Sequence, residues 1–189
     1  MDSSRRVSRL RMIQEETVLL FSEETIQKRV DELGRQISAD YSDVDELLMV
    51  GVLRGCYIFL ADLSRRLSIP RRIDFISVSS YEQTKTTPGA LRIIMDTRID
   101  VAGIHVLLVD DILDTGHTLA YLLNILAARK PASLKSCVFL RKRNRLETDA
   151  QIDYLVFDIP DLWVVGYGLD YADKCRALPY IGVVKTEQD

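Results

Sequence analysis

One stretch constrains this 189-residue chain more than any other: Val106 to Leu119, VLLVDDILDTGHTL. It reads as a buried strand, two consecutive carboxylates, and then Asp114-Thr115-Gly116-His117-Thr118 opening an apolar helix. In an open α/β sheet, ligands sit beyond the carboxyl ends of the strands, and a glycine-containing turn into a helix aims backbone N–H groups at an anion. The segment therefore predicts a phosphate-binding turn. Gly116 permits close approach, Thr115 and Thr118 add hydroxyl donors, and His117 contributes its backbone N–H, with an incidental imidazole. Asp110 and Asp111 could hold ribose hydroxyls or a hydrated Mg²⁺. The plainer reading, two acids ending a strand and an Asp-Thr pair capping a helix, suffices for an isolated D-T-G triplet. It does not account for the whole arrangement of apolar strand, acid pair, two apolar residues and D-T-G-x-T. The pattern is neither a Walker loop nor G-x-G-x-x-G.

The flanking sequence supplies the sheet this turn needs. Ser22 is a candidate N-cap, and Ile26, Val30, Leu33 and Ile37 lay an apolar stripe along the helix behind it. Leu47 to Leu53 (LLMVGVL) is the kind of unbroken apolar run found in strands covered on both faces, and it meets a turn at Arg54-Gly55. A helix carrying Tyr57, Leu60, Ala61 and Leu67 should end before Pro70. Strands are expected at Ile73 to Val78, Leu91 to Met95, His105 to Val109, Ser136 to Leu140, Tyr154 to Ile159 and Tyr180 to Val184. Another helix is expected over Thr118 to Arg129, stopping before Pro131. Tyr81 to Gly89 (YEQTKTTPG) is polar and turn-prone, and reads as a mobile loop. Alternation of strands and helices implies an α/β fold with a mostly parallel sheet covered on both faces.

Composition narrows the classes. Hydrophobic residues make up 47% and charged residues 28%, the mix of a chain that can bury a core, and 189 residues suit one domain spanning 1–189. A net charge of −3 and a pI near 5.5 lack the positive field of a nucleic-acid binder, so no nucleic-acid partner is expected. Cys56, Cys137 and Cys175 form no C-x-x-C pair, which suggests neither disulfides nor zinc and fits a reducing cytoplasm. Arg5, Arg6, Arg9 and Arg11 belong to a solvated tail with no signal-length apolar run behind them. The longest apolar run falls far short of the ~18 residues of a membrane span, so no membrane partner is expected either.

The Val106 to Leu119 segment resembles the signature of phosphoribosyltransferases, which bind 5-phosphoribosyl 1-diphosphate (PRPP). From about Val50 to Val184 the resemblance is closest to the hypoxanthine-guanine enzymes of the bacterial type. Val52-Leu53-Arg54-Gly55 is similar to that family's pyrophosphate turn and Ser79-Ser80-Tyr81 to its catalytic loop. Trp163 to Tyr171, WVVGYGLDY, is similar to its base-binding segment. The resemblance implies a type I phosphoribosyltransferase fold with a small hood built from the N- and C-terminal segments. It implies transfer of phosphoribosyl from PRPP to N9 of hypoxanthine or guanine with Mg²⁺, and a homodimer or homotetramer. By residue, it implies that Asp114 is the base near N7. Asp110, Asp111, Asp114, Thr115, Gly116, His117 and Thr118 would bind the 5′-phosphate and ribose, and Arg54, Gly55, Ser80, Tyr81 and Arg176 the pyrophosphate. Lys142, Trp163, Val164 and Asp170 would bind the purine, with Lys142 donating to O6, and Asp110, Asp111 and Asp170 would serve Mg²⁺. A cis peptide would fall at Leu53-Arg54. Three positions depart from the usual pattern: Arg54 where Lys is common, Glu82 where Gly is common, and Trp163 in place of a smaller aromatic.

Other readings stay in view. The run Leu140 to Arg145, LRKRNR, has the charge of a solvated basic turn, and Arg141, Arg143 and Arg145 are assigned to solvent while Lys142 is assigned to the site. A lone Trp is more often core than ligand platform, and His105 reads as a strand residue with a satisfied ring. A regulator on the same scaffold would predict a basic nucleic-acid face or a further DNA-binding domain. A xanthine-preferring enzyme would differ in contacts to the purine C2 substituent.

Overall fold

The computed structural model describes residues 17–80 and 91–184. Its elements in chain order are β1 (Thr17–Phe21), α1 (Glu23–Asp40), β2 (Leu47–Leu53), α2 (Tyr57–Arg66), β3 (Arg71–Ser80), β4 (Leu91–Met95), β5 (His105–Leu113), α3 (His117–Ala128), β6 (Ser133–Lys142), β7 (Tyr154–Ile159), β8 (Val164–Val165) and β9 (Ile181–Val184). A six-stranded sheet runs in the order β4-β3-β2-β5-β6-β7. Its neighbours are parallel except for the antiparallel edge pair β3–β4. The chain first builds outward from β2 to β3 and then crosses back to lay β5 on the other side of β2. The carboxyl ends of β2 and β5 therefore flank a topological switch point, where the crevice of such a sheet opens.

Local chemistry explains the elements. Ser22 caps α1 by accepting from Thr25 N–H at 3.2 Å, and Ile26, Val30, Leu33 and Ile37 are all buried along its inner stripe. Leu47 to Val52 is buried on both sides, as an unbroken apolar run should be in a strand covered by helices. One core layer joins α1 and α2 to one face of the sheet through Phe59, Leu63, Phe139 and Tyr167. The other packs α3 through Leu119, Leu122 and Leu126 onto Val106, Leu108 and Val138. Among the described residues no helix is long and apolar enough to cross a membrane.

A second, three-stranded sheet in the order β1-β9-β8 carries the N- and C-terminal segments, the place expected of the hood. The sequence reading gave β1 no strand, because TVLLF is too short to show a period and pairs with a segment more than 160 residues away, Thr17 opposite Val184. The other boundaries shift by a few residues. β5 continues through both acids to Leu113, and β6 reaches Lys142, so these side chains stand on strand ends rather than in loops. The expected loop at Tyr81 to Gly89 lies outside the described residues, as do Glu82 and the Arg-rich tail.

The hood is fastened to the sheet layer by a buried polar knot. Tyr167, 2% exposed, donates its hydroxyl to Asp62 Oδ2 on α2 at 2.6 Å. Gln27 on α1 donates to the same oxygen at 2.9 Å, and Arg65 holds the other one. Burial pushes the Asp62 carboxyl up, but the hydrogen bonds from Tyr167, Gln27 and Arg65 outweigh it and leave it below its ordinary range. Tyr167→Phe removes one donor and keeps the packing. It is expected to cost about 1 to 2 kcal/mol, read as a lower urea midpoint at unchanged slope.

Candidate active site

Two turns meet at the switch point. The first follows β2, where Leu53-Arg54 is a cis peptide bond as the resemblance implies. The second follows β5. They touch so closely that a Cβ on Gly55 would lie 1.6 Å from Asp111 Oδ2. A third segment closes on them: Gly168, at φ +107°, would place a Cβ 1.9 Å from the carbonyl oxygen of Gly55. The Asp111 carboxylate thus lies on Gly55 and the Gly55 carbonyl on Gly168, and only glycine fits at the two contact points.

The turn after β5 opens α3 as expected. Gly116 takes φ +90° at the N-cap of α3, which leaves the N–H groups of the first helical turn without side-chain caps. A Cβ there would meet Thr148 Oγ1 at 2.2 Å, because the segment after β6 folds back over the turn. Glu147 N–H donates to Thr115 O at 2.9 Å, and Glu147 Oε2 lies 2.8 Å from His117 Nε2. The Thr148 hydroxyl oxygen is buried and without a hydrogen-bond partner.

Asp110 and Asp111 differ in setting. Asp110 is 5% exposed and its Oδ1 accepts from Asp111 N–H at 3.0 Å. Burial and then the neighbouring Asp111 charge push the Asp110 carboxyl well above its ordinary value. Asp111 is also pushed up by burial, opposed by hydrogen bonds and by the charge of Arg176. Among the described residues no three His, Cys, Asp or Glu side chains converge on one metal position. Asp170 instead sets Oδ1 2.7 Å from Arg176 Nη2 as an ion pair, and its Oδ2 accepts from Asp173 N–H at 2.7 Å.

Arg176 also donates to Gly168 O at 2.9 Å and lies 3.3 Å from Asp173 Oδ1, the atom that Arg54 Nη2 approaches at 2.6 Å. The two cations assigned to pyrophosphate therefore converge on one exposed carboxylate, that of Asp173, which the sequence reading did not single out. Ser80 ends β3, and Tyr81 lies outside the described residues.

At the other end of the crevice Lys142, only 7% exposed, sets its ammonium between two carboxylates, 3.1 Å from Asp161 Oδ1 and 3.5 Å from Asp114 Oδ2. Arg145 closes the ring: its Nε is 2.8 Å from Asp114 Oδ1 without the alignment of a hydrogen bond, and its Nη1 is 3.4 Å from Asp161 Oδ2. The hydrogen bond from Lys142 leads the effects that hold the Asp161 carboxyl below its usual range. Arg145 is thus exposed as expected, but it also pairs with the two acids beside Lys142, which the charge run does not show. A 3-10 turn over Arg143–Arg145 swings it back to Asp114, whereas Arg141 and Arg143 pair with Asp158 away from the ring. Trp163 is 58% exposed at the mouth, with Tyr171 edge-on at 6.1 Å, as a stacking platform would be. Val164 is buried in β8. His105 Nδ1 lies 2.8 Å from Ser133 Oγ, outside the site.

Residues 20–172 match the model of the phosphoribosyl transferase domain. The chain belongs to the phosphoribosyltransferase family. It is 42% identical over 172 residues to the hypoxanthine-guanine phosphoribosyltransferase of Dictyostelium discoideum, covering 89% of this chain and 96% of that one. It is 42% identical over 167 residues to the hypoxanthine phosphoribosyltransferase of Escherichia coli, covering 88% and 94%. Its structure superposes with a TM-score of 0.85, at 43% identity and 91% and 96% coverage, on a mutant hypoxanthine phosphoribosyltransferase of Trypanosoma cruzi in a ternary complex with its substrates. The structural neighbours share the mostly parallel sheet with flanking helices.

The raised carboxyl of Asp110 has a measurable consequence. Between about pH 4, where an unfolded Asp titrates, and its higher folded value, the native state holds a proton that the unfolded state has lost, so stability falls as pH rises. Asp110→Asn removes that loss. In chelator-treated buffer the melting temperature of the variant, relative to the unsubstituted protein, is expected to climb from pH 4 to pH 8. A difference that stays flat or shrinks would contradict the assignment.

Proposed function

We propose that the protein transfers the 5-phosphoribosyl group of PRPP to N9 of hypoxanthine or guanine, giving IMP or GMP and pyrophosphate in purine salvage. The observation that carries this reading is the Lys142–Asp114 juxtaposition beside the phosphate turn: a buried ammonium and a carboxylate 3.5 Å apart. A 6-oxopurine presents an O6 acceptor and an N7 proton on adjacent positions of one edge, and this pair offers the matching donor and base. An adenine would set its amino group against the ammonium, donor against donor.

The 5′-phosphate binds the N–H groups and hydroxyls of Thr115 to Thr118 at the start of α3, where the helix dipole favours an anion. Asp110 and Asp111 face the ribose hydroxyls, and Trp163 stacks on the base. Asp114 accepts the N7 proton as N9 attacks C1 of the ribose and the C1–pyrophosphate bond breaks. Charge then collects on the departing pyrophosphate, and Arg54 and Arg176 are placed to meet it once it displaces the Asp173 carboxylate. Ser80 and Tyr81 are assigned to the segment that excludes water. The carboxylates of Asp110, Asp111 and Asp170 offer oxygen donors, and among the described residues no three acids converge into a cage, which suits Mg²⁺ held by one or two carboxylates together with substrate phosphates. Asp111 and Asp170, with Asp110 behind them, would hold it. When bound, Mg²⁺ supplies charge neutralisation at the leaving group. The chain is proposed to act as one domain over residues 1–189, in the cytoplasm, as a homodimer or homotetramer; oligomeric state is also the subject of a Trypanosoma cruzi relative's structure.

The direct test is a spectrophotometric assay with PRPP, Mg²⁺ and each of hypoxanthine, guanine, xanthine, adenine and uracil, with turnover expected for the first two. Activity confined to xanthine, adenine or uracil would overturn the reading. Asp114→Asn should lower kcat by about 10²- to 10⁴-fold with PRPP binding nearly intact, the usual worth of a positioned base. Activity within about threefold of the unsubstituted protein on that scale would remove Asp114 from the mechanism. Gly55→Ala drives a methyl group into the Asp111 carboxylate. It should cost about 10²-fold in kcat/KM for PRPP, the scale of an ångström-sized misplacement, while Gly103→Ala, which strains a left-handed backbone at φ +70° ahead of the opposite end of β5, lowers stability and leaves kcat/KM unchanged.

A further inference from the structure

The reading above uses Lys142 and Asp114 and leaves Asp161 without a task. Asp161 follows Pro160, just past the end of β7, and faces the last residue of β6 across the strand ends. Its Oδ1 is 3.1 Å from Lys142 Nζ, closer than Asp114 Oδ2 at 3.5 Å, and Arg145 reaches both acids. We propose that Asp161 is a positioning residue for 6-oxopurine recognition: it anchors the Lys142 ammonium so that a proton points at the O6 site and the ammonium does not collapse onto Asp114. The inference rests on the assignment of Lys142 to O6.

The physics follows from the charges in the ring. Lys142 is almost wholly buried, and a buried ammonium must be paired or lose its charge. Two carboxylates on opposite sides fix its place, while one alone would draw it in. Without the charge of Asp161, Lys142 would close on Asp114, take up the oxygen needed for the N7 proton, and turn a donor away from the base. With Asp161 present, Asp114 is free to exchange partners as the purine enters, because Lys142 and Arg145 both keep a second carboxylate. Asp161 itself is half exposed beside the pocket, so it acts through Lys142 rather than by touching the purine ring.

The test separates this from a general structural role. Asp161→Asn keeps size and shape and removes the charge. It should raise KM for hypoxanthine about tenfold, the worth of one charged hydrogen bond, with KM for PRPP within about twofold. The inhibition constant of purine itself, which carries hydrogen at C6, should likewise stay within about twofold, because it has no oxygen for Lys142 to find. In a Lys142→Met background, Asp161→Asn should add less than about twofold, since a residue that acts through another has nothing left to act on. Asp161→Glu should recover part of the hypoxanthine KM. Equal losses for hypoxanthine and purine, a parallel rise in KM for PRPP, or an undiminished effect in the Lys142→Met background would each overturn the proposal. Failure of the unsubstituted protein to use any 6-oxopurine overturns the proposed activity and this inference together; normal turnover without a purine-specific effect overturns this inference alone.

Discussion

The architecture of the site depends on a steric constraint at the switch point: three chain segments approach more closely than any side chain allows. Asp111 leans on Gly55, and the carbonyl of Gly55 meets Gly168. Under the proposed function each contact couples one part to another, the ribose side to the pyrophosphate turn, and that turn to the base-binding hood. Moving any one of them by the width of a methyl group moves the other two. The hood is held on its far side by Tyr167 in the Asp62 knot, so the residue directly before Gly168 is tied to α2 while Gly168 itself rests on the turn after β2. Precision in the crevice therefore comes from close contacts at two glycines, one with a carboxylate and one with a carbonyl, backed by a buried hydrogen-bond network.

Electrostatics divides the crevice into three regions of unlike balance. Where the proposed function seats the ribose, two acids lie side by side: burial pushes both carboxyls up, and the neighbouring Asp111 charge adds to the rise of Asp110 alone. That arrangement disfavours the isolated fold and suits a ligand that brings hydroxyls or a cation, the familiar exchange of stability for function. Where the proposal seats the pyrophosphate, two guanidiniums share one exposed carboxylate, a pairing worth little in water and readily given up to a polyanion. Where the proposal seats the purine, two cations and two anions form a closed ring, one of whose cations is the buried Lys142 ammonium.

The parts of this plan legible in the sequence are those written in consecutive residues. The turn after β5 needs its strand, acids, glycine and helix in immediate succession, and all of them stand in fourteen letters. The same holds for the apolar run of β2 and the capped stripe of α1. Strand β1 was invisible because its partner lies at the other end of the chain, so its five residues carry no local period that distinguishes them from a tail. Asp173 was passed over because it follows the WVVGYGLDY motif by two residues, and its role comes from what Arg54 does more than a hundred positions earlier.

Arg145 shows why a charge run misleads. Four basic residues in five have one meaning as a string, a solvated face, and that is right for Arg141 and Arg143, which share Asp158. It is incomplete for Arg145, which stays exposed yet also reaches the two acids, because the backbone leaves the strand at Lys142 and turns through a 3-10 helix, so residues three apart land on one side. Lys142 and Arg145 are at that spacing, and both meet Asp114 and Asp161. Neither acid is near them in sequence; Asp114 arrives on β5's turn and Asp161 past the end of β7, the strands on either side of β6. The ring is thus a product of strand order. Parallel neighbours end at the same level, and what each chain does one to three residues beyond its strand decides which charges meet. The specificity of such a site is carried by residues at those exits, which local sequence reads as turns and caps.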